Sequence, residues 1–114
     1  MPPIAPSNDD PLYELLIDSN IREFNERRAA GASCNLQSAD FRGMDLRNLD
    51  ARGLDLRGAY FRNADLRGID FSTAELEGAS IKGAKISGAW FPARISAEEL
   101  TLSLVHGTRI RYLP

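Results

Sequence analysis

The chain is poor in the residues that carry chemistry. Its 114 residues include one cysteine, Cys34, and one histidine, His106. A single cysteine excludes an intramolecular disulfide framework. One Cys and one His do not make a zinc site, so no metal is expected. No apolar run approaches the roughly 18 residues of a membrane span, and no membrane partner is expected. The first residues, MPPIAPSNDDP, have neither a basic nor an apolar segment of the secretory kind. The expected compartment is the cytoplasm. An excess of either charge is also missing. Fourteen Lys and Arg stand against sixteen Asp and Glu, a formal charge of −2. That balance gives no global case for nucleic acid, which is not an expected partner. The glycines recur every five or ten residues as corners and open no helix, so there is no phosphate-binding loop and no cofactor is expected.

What the chain does have is a period. From Leu36 to Phe91 an apolar residue returns every five positions: Leu36, Phe41, Leu46, Ala51, Leu56, Phe61, Leu66, Phe71, Leu76, Ile81, Ile86 and Phe91. Five is neither the helical period near 3.6 nor the strand period of 2. A fixed period held over twelve units means a repeat architecture. Two residues before each of these centres stands a small or apolar residue, from Cys34 and Ala39 through Leu49 and Leu54 to Ala89. Two residues after it, Gly dominates, with Asn48 and Asn63 between. Gly and Asn tolerate positive φ and mark turns. Each unit therefore reads in-out-in-out-turn.

This pattern resembles the pentapeptide-repeat family, whose motif is A-(D/N)-L-x-x. Ala39-Asp40-Phe41-Arg42-Gly43 and Ala64-Asp65-Leu66-Arg67-Gly68 are close matches, and the resemblance covers about half the chain. It implies an all-β solenoid: a right-handed quadrilateral β-helix of about three coils, four pentapeptides to a coil. Coils would stack about 4.8 Å apart, the spacing of hydrogen-bonded strands. The centres would then form ladders, among them Phe41/Phe61/Ile81 and Ala51/Phe71/Phe91, with Leu49 and Leu54 filling the volume that Ala51 leaves.

The organisation follows. Residues 1–9 read as a flexible N-terminal arm and residues 10–33 as a helical cap. Residues 34–93 form the repeat block and residues 94–114 the C-terminal cap. Asp10-Pro11 reads as an N-cap with proline at the first helical position. A break is expected near Ser19-Asn20, and Gly31 would end the helical segment. Ser96-Ala97-Glu98-Glu99 has the spacing of a capping box. It opens a short helix ended by Gly107, before an extended tail at Arg109–Tyr112. A strand over Thr101–Val105 is the competing reading.

No enzyme is expected. A Cys34–His106 pair would lie at opposite ends of the stack, and His106 suits a charge–dipole contact at a helix C-terminus. Asp40, Asp45, Asp50, Asp55, Asp65 and Asp70 each stand just before a centre. Carboxylates spread over all faces of a repeat do not converge on a pocket, and they read as partners of neighbouring arginines. Only the two residues flanking each centre are free to carry a message. The Leu36/Leu56/Leu76 face is net acidic. The Phe41/Phe61/Ile81 face is net basic, with Arg42, Arg62 and Lys82 in one ladder beside Tyr60. Like charges opposed across neighbouring backbones cost stability, which invites an acidic partner with Tyr60 as an adjacent contact; the reading the sequence favours is that these side chains splay and pair with Asp40 and Asp45. Arg47 and Arg67 lie on the next, weakly basic face. Trp90 and Tyr112 are candidates either for an interface or for the C-terminal cap. The expected function is a non-enzymatic module that presents charged flat faces to another protein. The expected oligomeric state is a monomer, or a homodimer through the C-terminal end. The resemblance also raises bacterial modulators of DNA gyrase and related topoisomerases that mimic DNA. Three coils and Arg-rich faces count against that alternative.

Overall fold

Corners dominate the chain from Leu36 onward. In a computed structural model, which describes residues 10–114, each pentapeptide except the last closes on itself through one hydrogen bond. The N–H three residues after a centre donates to the centre's carbonyl: Ala39 to Leu36 (3.2 Å), Ala64 to Phe61 (2.9 Å) and Ala79 to Leu76 (3.0 Å) are examples. The residue before each such donor takes positive φ at Ser38, Asn48 and Asn63 as well as at the glycines, while Thr73 turns without it. At Gly83 two constraints coincide. Its φ is 69°, and an added Cβ would collide with Oδ1 of Asn63. The expected arm at 1–9 lies outside the described residues.

Between corners the chain pairs with itself twenty residues on. Parallel bridges join Asp40 to Tyr60, Tyr60 to Ser80, Asp45 to Asp65, Asp65 to Lys85, Asp55 to Glu75 and Asp70 to Trp90. Tyr60 shows the pattern: its N–H donates to Ala39 O (2.9 Å), and its carbonyl accepts from Phe41 N–H (2.8 Å). We call residues 34–53, 54–73 and 74–93 the first, second and third tiers. The expected all-β solenoid needs correction here. Among the described residues there is no β-strand, sheet or barrel, and the regular elements are three short helices. The physical reason is the corner spacing. A turn every five residues leaves one bridged residue per side, so every bridge is isolated and no ladder extends to a strand.

The core runs through all three tiers. Phe41, Phe61 and Phe71 are buried, as are Leu36, Leu46, Leu56, Leu66, Leu76 and Ile81. Phe41 stacks on Phe61 at 5.2 Å between ring centroids, and Phe71 on Phe91 at 5.8 Å. Phe61 meets Phe71 edge to face at 6.2 Å. Such contacts add to the area each ring removes from water. Ala39, Ala59, Ala64 and Ala79 are buried between the centres. Leu49 and Leu54 are buried on either side of the small Ala51.

A stack of this kind leaves unpaired backbone groups at both ends, which must be covered. Helices α1 (Pro11–Ile17) and α2 (Ile21–Ala29) cover the first tier. Their apolar stripe buries Leu12, Leu16 and Phe24. The Tyr13 hydroxyl donates to Asp40 O (2.8 Å), and its ring meets Phe41 edge-on. The Asn25 side chain donates to Asn48 O and accepts from Asp50 N–H, as a neighbouring backbone would. Asp10 and Asn20 cap the two helices with their side-chain oxygens.

The third tier is covered by α3 (Ala97–His106) and the residues that follow. Residues 101–105 are therefore helical, not a strand. Ser96 caps α3 by accepting from Glu99 N–H (3.1 Å). Glu99 takes no reciprocal part in a capping box, because its carboxylate pairs with Arg111 (3.1 Å). Gly83 N–H donates to Leu104 O, Ile81 N–H to Ser103 Oγ and Leu76 N–H to the Tyr112 hydroxyl. Ile110 exchanges hydrogen bonds with Gly78 and Ala79 and is buried. The tail thus stands in for the tier that would have come next.

Candidate protein-docking face

The two residues flanking a centre point outward on the same side. Where Asp precedes the centre and Arg follows it, the geometry is the same each time. One carboxylate oxygen accepts the backbone N–H two residues on, as in an Asx turn. The Arg side chain then folds back and closes its fork on the carboxylate. This occurs at Asp40–Arg42, Asp45–Arg47, Asp50–Arg52, Asp55–Arg57 and Asp65–Arg67, with N–O distances of 2.7 to 2.8 Å. A two-point contact of this kind is specific in geometry and stronger than a neutral hydrogen bond. The hydrogen-bonded guanidinium holds the carboxyls of Asp40, Asp45, Asp50 and Asp55 below the ordinary value. Asp65 goes furthest, down to about 2. Arg67 is the main cause, and Arg47 adds a second contact at 3.4 Å.

Along one ladder the aspartate of the bracket is lost while the cation after the centre remains. Ahead of Phe41, Phe61 and Ile81 stand Asp40, Tyr60 and Ser80; behind them stand Arg42, Arg62 and Lys82. Arg42 keeps its aspartate. Neither Arg62 nor Lys82 has a carboxylate within ion-pair distance among the described residues. Tyr60 is engaged from the C-terminal side. Arg109 donates to its hydroxyl (2.8 Å) and lies over its ring, 5.2 Å from the centroid. Ser80 donates to Gly107 O (3.1 Å). These contacts bring the end of α3 against the ladder and enclose a shallow cleft of about 250 Å³, lined by Arg42, Tyr60, Arg62, Ser80, Lys82, His106 and Gly107.

Four of the residues picked out from the sequence, Arg42, Tyr60, Arg62 and Lys82, thus come together. Arg47 and Arg67 line a different depression, with Ser19, Ile21, Asp45 and Asn48, and both are held by aspartates. Tyr112 belongs to the cap: its hydroxyl accepts from Leu76 N–H and Arg94 lies over its ring. Trp90 does not lie under the cap, being 69% exposed. The sequence also places Ser80 on this face, but sequence reasoning missed His106, Gly107 and Arg109 as neighbours of the basic ladder. The helix stop at Gly107 was readable, but no local signal says over which face the chain then returns.

The pentapeptide-repeat profile matches residues 32–63 and 55–91, in eight copies and over more than half of the chain. This chain belongs to the pentapeptide-repeat family. Members of the family are generally non-enzymatic repeat proteins. No curated protein and no solved structure matches this pentapeptide-repeat protein. Any functional reading must therefore rest on its own surface. Among the described residues no cluster of His, Cys, Asp and Glu could hold a metal ion, and no helix is long and apolar enough to cross a membrane.

Proposed function

We propose that this pentapeptide-repeat protein is a non-enzymatic docking module. It engages an acidic protein surface through the face of Arg42, Tyr60, Arg62 and Lys82. The observation that carries this reading is the contrast in pairing. Five arginines are folded back onto their own aspartates, so their charge is spent within the repeat. Arg62 and Lys82 are not, and they stand together on one side. Unpaired charge of one sign steers an opposite surface and selects against like-charged ones. The same brackets weigh against mimicry of DNA, since aspartates closed by arginine forks do not present a row of bare anions. Affinity capture from the source cells tests the reading. An acidic partner retained by the wild-type protein and by the Arg52→Glu/Arg57→Glu variant should be lost from Arg62→Glu/Lys82→Glu. Equal retention by all three proteins would contradict it.

A further inference from the structure

The cleft beside the basic ladder is more specific than a charged strip. We infer that it receives a phosphoryl group carried on a side chain of the partner; this rests on the docking reading above. Three features support the choice of ligand. The first is the count of uncompensated charge. Asn63 N–H donates to Lys82 O (2.9 Å), so Arg62 and Lys82 leave adjacent backbones about 4.8 Å apart. A carboxylate would offset one of these cations. A phosphomonoester carries a charge of about −1.5 to −2 near neutral pH and offers three acceptor oxygens. It matches the pair.

The second feature is the donor set. Arg62 contributes a planar fork suited to phosphate, and Lys82 a compact point charge. His106 at the rim adds ring nitrogens. The groups that could compete are already occupied. Asp40 is closed by Arg42, the Tyr60 hydroxyl accepts from Arg109, and Ser80 donates to Gly107 O. The third feature is shape. About 250 Å³ accommodates one such group and a short length of its side chain. The methylenes of Lys82 pack under Gly107, where an added Cβ would come within 3.1 Å of the Lys82 Cδ. This half-buried stem limits how far the ammonium can wander, which lowers the entropy lost on binding.

The test is an NMR titration of the full chain with three probes: N-acetyl-phosphoserine methylamide, inorganic phosphate and N-acetyl-aspartate methylamide. Phosphoserine and phosphate should shift the amide signals of Arg62, Lys82, Gly83 and Gly107. The aspartate probe should bind at least about tenfold more weakly. Arg62→Gln and Lys82→Gln should each weaken phosphoserine binding by about tenfold or more, as expected when a hydrogen bond to a charged group is lost. Arg52→Gln should not. Ser80→Asp, which supplies Lys82 with a carboxylate, should weaken it as well. Dispersed spectra from each variant establish that it is folded. Equal binding of aspartate and phosphoserine would overturn the inference and leave acidic docking standing. Phosphate binding with phosphoserine excluded would overturn the partner as the source. Shifts confined to other faces, or wild-type affinity in both Gln variants, would overturn the site itself. Capture unaffected by Arg62→Glu/Lys82→Glu would instead count against the docking reading.

Discussion

The first and third tiers share an interior pattern and differ on the outside. Inside, each presents apolar centres with small or apolar residues between them, and Phe41 and Ile81 are buried alike. Outside, the first tier carries three closed Asp–Arg brackets, at Asp40–Arg42, Asp45–Arg47 and Asp50–Arg52. The third tier carries none. Its flanking residues are Glu75, Glu77, Ser80, Lys82, Lys85, Ser87, Trp90 and Pro92. The second tier is intermediate, keeping the bracket at Asp55 and Asp65 but holding Tyr60 and Asp70 on its other sides. One repeat thus serves two purposes. Where the bracket closes, the surface is locally neutral and the corner beneath it is braced. Where it opens, the surface acquires a sign and a side chain that can reach a partner.

The sharpest way to break this comparison is to attack what the tiers share. Phe41→Ala and Phe61→Ala should each cost about 3–5 kcal/mol, since each empties a stacked aromatic site in the common core. Urea denaturation would measure this, and a loss below about 1 kcal/mol at either position would mean that the stack is not one core. The next effect in size is acid sensitivity. Asp40, Asp45, Asp50, Asp55, Asp65 and Asp70 all have folded-state pKa values below the ordinary 3.8, reaching about 2 at Asp65. A depressed folded pKa contributes stability that is fully present above the unfolded value. That stability is lost as pH falls through the folded value. The melting temperature should therefore fall between about pH 5 and pH 2. Asp50→Asn/Asp55→Asn should flatten that fall.

The smallest effects separate a bracket from an open position. Tyr60→Phe keeps the ring under Arg109 and removes one hydrogen bond, a loss of about 0.5–1.5 kcal/mol. Arg52→Gln opens an exposed bracket and should cost about 0–1 kcal/mol in low salt, and less in high salt. Thermal unfolding at two ionic strengths would check both, and the salt dependence should appear only for Arg52→Gln.

The five-residue period made the centres and the corners legible, because each recurs at one spacing; the flanking helices were legible from local signals, Asp10-Pro11 and Ser96 with Gly107. Strand content was not legible. The alternation at Asp40–Phe41–Arg42 reads as extended chain, yet the corner that follows limits each side to a single bridged residue. Ser38 was missed as a positive-φ corner because serine does not advertise that conformation. For the candidate site, the basic ladder could be read from the twenty-residue spacing. Its pairing state could be read in part, since Asp two before Arg is a local pattern. The wall of the cleft could not. His106, Gly107 and Arg109 arrive by a tertiary return of the chain, and nothing in residues 96–114 encodes which face they will meet.

The central claim is that Arg62 is open where the other repeat arginines are closed, and one measurement addresses it without any ligand. Solvent exchange of the guanidinium Nε–H protons can be read residue by residue by nitrogen-15 NMR. In Arg42, Arg47, Arg52, Arg57 and Arg67 that proton is donated to the preceding aspartate at 2.9 to 3.0 Å. These five should exchange slowly, and Arg62 should exchange at the rate of a solvated side chain. Equal rates across all six would contradict the account.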